Sequence, residues 1–292
     1  MELKHTAKRS GRLSSFLREE MAMSASLMNK LKWHEKILVN GKPEHTDFSV
    51  KPGDEITVLM DAPQLDYPAE DGPLTVLYED EHLLAVDKPA GMLIHPSRAK
   101  NQGTLANIVA GYYEKTGQKC AFHPVTRLDR DTFGIVLLAK NAHVHALLQN
   151  MKVHKIYHAL VFGAPKEQNG VINAPIDRRP LPSLLRFVGE QGKPSVTEYR
   201  VMEYGDGYSK LELRPITGRT HQLRVHCAYM GFPILGDPQY GSEMSQAFSA
   251  GFGLDYQQLC AYGLELTHPI TGAKLQLHSQ LDVTVLNADD GI

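Results

Sequence analysis

Between Asp61 and Pro73 the chain reads Asp-Ala-Pro-Gln-Leu-Asp-Tyr-Pro-Ala-Glu-Asp-Gly-Pro, the run that most constrains how it can fold. Three prolines and a glycine deny it helix or central-strand geometry, and its apolar residues follow no period. It reads as an extended linker. Three segments are therefore expected: a module over 1–60, the linker 61–73 and a larger domain over 74–292. At roughly 150 residues per domain, a chain of 292 allows this, and the larger part can bury a core without disulfides.

Composition gains meaning once it is divided at the linker. The 31 Lys and Arg against 33 Asp and Glu give a formal net charge of −2, which argues mildly against a polyanionic partner. Yet seven acids and no Lys or Arg lie between Asp61 and Glu81, whereas residues 1–60 carry +2 and residues 82–292 carry +3. The acidity is local, and both folded parts are slightly basic. Cys120, Cys227 and Cys260 form no C-x-x-C pair, so a reducing compartment is expected. The longest apolar run, Ile135 to Ala139, falls far short of the ~20 residues of a membrane span, and the charged N-terminus is no secretory signal. A cytoplasmic protein without membrane contact is expected.

In the first module, Leu13, Phe16 and Leu17 recur at helical spacing, and Ser24 offers an N-cap to a second run carrying Leu27, Met28 and Leu31. Ile37 to Val39 reads as a strand entering an Asn40-Gly41 turn, and Val50 to Val58 as a turn followed by an alternating strand. Beyond the linker, Leu74 to Tyr78 and Leu83 to Val86 read as strands, and Thr104 as the cap of a helix with Leu105, Ile108, Val109 and Tyr112.

Three stretches carry candidate chemistry. Arg127-Leu128-Asp129-Arg130-Asp131 alternates charges just before Gly134 and a buried-strand pattern, where charge is costly unless paired or functional. Alone, the run reads as a surface turn whose Arg and Asp satisfy each other. Lys155, Tyr157 and Ala159 share one face of a strand. A tyrosine there is ordinarily core packing, and its other use is a platform for a base or sugar. Thr217 to His226 turns at Gly218 and then sets Arg219, His221, Gln222 and Arg224 on a helix-like run, a mixture suited to phosphate or carboxylate. Alone it reads as a solvated basic helix. Fourteen histidines include no H-E-x-x-H, so no metal site is expected.

In order, these stretches resemble the RluA-type family of RNA pseudouridine synthases: R-L-D-x-x-T, then K-x-Y-x-A-L-V-x-G, then G-R-T-H-Q-L-R-V-H, followed by G-x-P-I-x-G-D-x-x-Y-G at Gly231 to Gly241. The resemblance runs from Leu74 to about Leu281. It implies an α+β catalytic fold with a mixed, largely antiparallel sheet flanked by helices. It also implies that Asp129 is the catalytic aspartate, Tyr157 the active-site tyrosine and Arg224 the basic partner of that aspartate. Arg127 resembles the arginine that helps displace the flipped nucleotide, and Leu259 a residue lining the pocket. Arg130, Arg219, His221 and Gln222 are further candidates for substrate contact. Thr126, Phe133 and Cys260 depart from the usual His, Ser and His; bulky Phe133 is expected to reshape the wall behind Asp129.

The 1–60 module, a small α/β unit, is similar to the S-four-type RNA-binding domain, with R-L-x-x-F-L, V-N-G-K and V-K-P-G-D-x-I. Lys30, Lys32 and Lys36 then correspond to cations facing RNA phosphates. The reaction implied is isomerisation of uridine to pseudouridine, which needs no cofactor or metal. The accessory domain favours ribosomal over transfer RNA as partner, and a monomer is expected. A non-catalytic RNA-binding assembly factor is the competing reading; an Asp-dependent hydrolase ranks last, because no second carboxylate is placed for it.

Overall fold

The computed structural model describes residues 2–21, 23, 25–60, 67–97, 100–180 and 182–284, apart from the side chains of Ser26 and Lys30. Near the N-terminus, β1 (Glu2–Thr6), β2 (Gly11–Arg12), β3 (Ile37–Val39), β4 (Lys42–Pro43), β5 (Ser49–Val50) and β6 (Glu55–Leu59) form two antiparallel sheets, β1-β6-β3-β4 and β2-β5. Strand β1 escapes sequence reasoning because its inward positions are Leu3 and His5, only one of them apolar. Helix α1 (Leu13–Ser15) runs into a π-helical turn over Phe16–Glu20, and α2 (Ala25–Trp33) follows. Leu13, Phe16, Leu17, Met28 and Leu31 meet Ile37, Ile56 and Val58 in one core. Asn40 and Gly41 both take positive φ, the geometry a two-residue hairpin requires. Ser24, the expected cap, lies outside the described residues.

Residues 67–73 correct the linker expectation for that half of the span. Tyr67 packs edge-on against Phe122, Asn107 Nδ2 donates to Pro68 O (3.0 Å), and Gly103 N–H donates to Glu70 Oε2 (2.8 Å). Gly111 permits this approach, since a Cβ there would overlap the Glu70 carbonyl oxygen. Docking partners on a distant helix leave no mark in a Pro-rich, acidic composition. Asp61 to Asp66 lie outside the described residues.

The larger part comprises β7 (Thr75–Glu79), β8 (Leu83–Lys88), α3 (Leu105–Lys115), β9 (His123–Pro124), β10 (Phe133–Ala139), α4 (Ala142–Gln149), β11 (His154–Phe162), β12 (Asn169–Asn173), β13 (Ile176–Arg178), β14 (Arg186–Val188), β15 (Val196–Tyr204), β16 (Tyr208–Pro215), α5 (Gln222–Tyr229), α6 (Glu243–Gly251), β17 (Leu259–Thr267) and β18 (Lys274–His278). The main sheet runs β12-β15-β16-β11-β17-β10-β8-β7, with β18 added to β17 and β9 to β10, while β13 and β14 pair apart. Its pairings are antiparallel except β10 with β17, so the sheet is mixed and largely antiparallel, with helices packed on it. Strands β8 and β10 are covered on both faces: α3 buries Leu105, Val109 and Tyr113 on one, and α4 buries Val144 and Leu148 on the other. That is why residues 83–86 and 135–139 read as unbroken apolar runs. The acidic turn after β7 is used locally: Glu79 pairs with Lys140 (2.7 Å), and Asp80 Oδ1 accepts the His82 and Leu83 N–H groups (both 2.7 Å). No helix among the described residues is long and apolar enough to cross a membrane.

Burial holds His143, His158 and His226 below the ordinary histidine pKa, so the folded chain keeps them neutral where the unfolded chain takes up protons below about pH 6.5. The His226 ring is also bonded to Thr197 Oγ1 (2.9 Å) and Ala174 O (3.0 Å). With folded pKa values below the unfolded one, the unfolded state binds more protons as pH falls, so this contribution is complete above about pH 6.5 and is lost on acidification. The urea midpoint is expected to drop between about pH 7.5 and about pH 5.5. A midpoint that is flat or rises over that interval refutes this assignment.

Candidate active site

Gly134 takes φ +103°, and a Cβ there would overlap the Ala261 carbonyl oxygen. Only glycine admits the close parallel pairing of Phe133 and Gly134 with Cys260 and Ala261 that starts β10. This junction sets the preceding loop, Arg127 to Thr132, beside the start of β17. Lys88 ties the loop from below: its buried Nζ donates to Pro89 O (2.9 Å), Met92 O (2.9 Å) and Arg130 O (2.8 Å). Burial pushes the Lys88 pKa down to about 7, against the pull of Asp131 and Asp129.

Opposite the loop, His221 opens α5 in the left-handed region at φ 57°, a conformation that costs a residue with a side chain about 1–3 kcal/mol and tends to occur at functional sites. One turn on, Arg224 enters the interior, with a side chain only 6% exposed. Its Nε and Nη2 donate to the two oxygens of the fully buried Asp237 (2.7 and 2.8 Å), and Nη2 also donates to Gln239 Oε1 (2.9 Å). The guanidinium lies over the Tyr240 ring at 4.9 Å. Burial opposes its charge, but Asp237 and then Asp129 offset this and raise its pKa.

Nη1 remains, and it donates to Asp129 Oδ2 at 3.1 Å. His221 Nε2 stands 3.8 Å from the same oxygen, and its Nδ1 shares a hydrogen bond with the Tyr240 hydroxyl (2.8 Å). Among the described residues no donor reaches Asp129 Oδ1, and the carboxylate side chain is 33% exposed. Asp129 thus keeps one oxygen for the cleft. Tyr157, buried on β11, has its pKa raised by burial and by Asp129, so its hydroxyl stays protonated at neutral pH.

These groups line a cleft of about 580 Å³. It collects Arg127, Asp129, Tyr157, Arg219, His221, Gln222, Arg224 and Leu259 from separate stretches of sequence. The charged run divides rather than pairing throughout: Arg130 clasps its neighbour Asp131 (2.8 and 2.9 Å) in solvent, and only Asp129 turns to Arg224. Arg130 is not among the residues that line the cleft, and its guanidinium is held by the adjacent Asp131. Gln222 borders the cleft, but its amide serves the protein: Oε1 accepts from Arg219 N–H and Thr217 Oγ1, and Nε2 donates to Val196 O and Thr197 Oγ1. It braces the 217–222 turn.

Phe133 does not form a wall behind Asp129. It packs with Leu160, Leu235 and Cys260 in the core on the other face of the sheet from Tyr157 and Leu259. Phe133 and Cys260 are also direct partners in the parallel pair, so two of the three departures from the family pattern are one neighbouring apolar couple away from the cleft. Thr126 is buried and its Oγ1 accepts the Leu137 N–H (2.9 Å). Lys32 and Lys36 lie at the end of α2 and just beyond it, next to Trp33, which is 82% exposed. The side chain of Lys30 lies outside the described residues. Sequence reasoning misses Asp237, Gln239 and Tyr240, although all three stand in the quoted Gly231 to Gly241 motif; that motif is the signal that could have found them.

Among the described residues no cluster of three or more His, Cys, Asp or Glu is placed to hold a metal. A carboxylate held by an arginine whose charge Asp237 compensates, a protonated tyrosine and the cations of Arg127 and Arg219 thus meet in one cleft. The family model for RNA pseudouridylate synthase matches residues 82–229, and this chain belongs to that family, whose members isomerise uridine to pseudouridine in RNA. An RNA pseudouridine synthase of Bacillus subtilis (strain 168), YlyB, described as uncharacterised, is 36% identical over 84% of this chain and 82% of its own length. Ribosomal large subunit pseudouridine synthase D of Nitrosomonas europaea is 39% identical over 78% of this chain and 69% of its own. Among solved structures, human RNA pseudouridylate synthase domain containing 1 superposes with a TM-score of 0.57 at 25% identity, covering 79% of this chain and 95% of that one.

Proposed function

We propose that this chain converts uridine to pseudouridine in large-subunit ribosomal RNA, with Asp129 as the reacting carboxylate, Arg224 as its anchor and Tyr157 as the platform under the base. The observation that carries this reading is the division of Arg224 between two carboxylates. Asp237 neutralises the buried guanidinium, so the remaining N–H can orient Asp129 without being its only counter-charge. Isomerisation breaks the bond from the sugar to N1, turns the uracil and joins C5 to the same sugar carbon. A carboxylate that attacks the sugar or removes a sugar proton needs an oxygen open to the cleft, and Oδ1 fits that need. No metal or cofactor is required for these steps.

Extruding the uridine from its stack costs a few kcal/mol, and stacking on an aromatic ring returns about 1–3 kcal/mol per base. Tyr157 is suited to this, and its protonated hydroxyl can give its proton to the freed N1 and then take up the one lost from C5, which leaves the tyrosine and the count of protons on the base unchanged. Tyr157→Phe is expected to hold RNA as the wild type does while losing turnover, read by RNA binding and pseudouridine formation in parallel. Wild-type turnover by that variant would remove Tyr157 from proton transfer.

Residues 1–60 serve, in this reading, as an RNA-binding module presenting Lys32 and Lys36 beside exposed Trp33, with Lys30 on the same helix. Residues 74–292 are the catalytic domain, and the protein acts as a cytoplasmic monomer. The relatives named for the large ribosomal subunit favour ribosomal RNA. The test is to incubate RNA from a strain lacking this gene with the protein and map pseudouridines. A new site that disappears with Asp129→Ala supports the proposal; binding without a new site would instead mark an assembly factor.

A further inference from the structure

Lys155 carries a charge in the cleft that the steps above do not use. It stands two residues before Tyr157 on β11, so both side chains leave the same face of the strand, and both line the cleft. The side chain is half-buried, yet among the described residues no carboxylate or carbonyl pairs with it. Burial depresses its pKa, and Arg127 pushes it the same way. Arg127 lines the same cleft and has no acidic partner among the described residues, while Asp129 is engaged by Arg224.

Two cations that line one partly desolvated cleft, neither with an acidic partner among the described residues, disfavour each other's charge in the empty protein. The arrangement makes sense where an anion arrives with the substrate. The base and sugar of uridine are uncharged at neutral pH, so the anion an RNA brings is its phosphodiester. Residues two apart on a strand are roughly 6.6 Å apart, so Lys155 leaves β11 beside the ring on which the target base would stack. We propose that Lys155 and Arg127 form a phosphodiester subsite that grips the backbone of the target nucleotide. This rests on the RNA reading given above.

The experiment uses the full chain and in-vitro-transcribed, hence unmodified, large-subunit ribosomal RNA. Half-saturating RNA concentration and rate at saturation are measured across a potassium chloride series for the wild type, Lys155→Gln, Lys155→Arg and Lys274→Gln, an exposed lysine on β18. Lys155→Gln is expected to raise the half-saturating concentration about 5- to 10-fold and to lower the slope of log affinity against log salt by about 0.7, the share of one phosphate contact on a single strand. Lys155→Arg keeps the slope, Lys274→Gln matches the wild type, and Lys155→Gln melts no lower than the wild type, because a repulsion has been removed.

A Lys155→Gln protein with wild-type half-saturation and slope overturns the subsite, as does a loss confined to the rate at saturation. If that variant fails to fold, Arg127→Gln carries the same readouts. The slope is also read by equilibrium binding, so the subsite is decided even where the wild type forms no pseudouridine; that second outcome would count against the proposed function and not against the subsite.

Discussion

Asp129→Asn is expected to lower pseudouridine formation by on the order of 10³-fold or more, in the upper part of the range for removing a positioned acid or base, while leaving the fold intact. The two halves of this expectation come from the same geometry. Asp129 contributes nothing to the core: its side chain is one-third exposed, and its one strong partner, Arg224, is already neutralised by Asp237. Loss of that outer contact is worth about 1 kcal/mol or less, a shift of about 3 °C in melting temperature for a chain of this size. An amide can still accept from Arg224, so the variant keeps the shape of the site and loses the charge. Single-turnover assays beside thermal melts separate the two. A variant that melts about 10 °C lower, several times that shift, would make Asp129 structural, and one that retains turnover would remove it from the chemistry.

Much of this site is legible in the sequence because its chemistry sits in contiguous motifs. Asp129, Tyr157 and Arg224 fall in three separate stretches, and the cleft collects all three. The fold of the β8 and β10 region is legible for a related reason: strands covered on both faces advertise themselves as apolar runs. What escapes depends on long-range pairing. Glu70 reads as part of a spacer until its carboxylate meets Gly103 N–H, 33 positions away. Phe133 reads as an intrusion at the catalytic loop, but alternation along β10 sends it to the opposite core. Arg130 and Asp129 are neighbours of opposite charge, and no local rule says which of two acids each arginine will choose. The decision is made by α5, which delivers Arg224 to Asp129 from 95 positions along the chain.

Asp237→Ala is expected to be the most damaging substitution for stability in the site. Asp237 has no exposed side-chain surface, holds Arg224 through two hydrogen bonds, and accepts the Gln239 and Tyr240 N–H groups at 2.9 and 3.2 Å. Removing it leaves a buried guanidinium without its main counter-charge, a loss of about 3–5 kcal/mol, or a fall in melting temperature on the order of 10 °C. Turnover falls as well, because an arginine freed from Asp237 turns more of its charge onto Asp129 and no longer fixes its orientation. A second substitution separates the stranded charge from lost packing. Arg224→Met added to Asp237→Ala removes the uncompensated charge, so the double variant is expected to melt higher than Asp237→Ala alone while remaining inactive. Such rescue of stability without activity is what a buried counter-ion predicts. If the double variant melts as low as the single one, the cavity and the lost backbone contacts dominate, and Asp237 holds the 237–240 turn rather than the charge on Arg224.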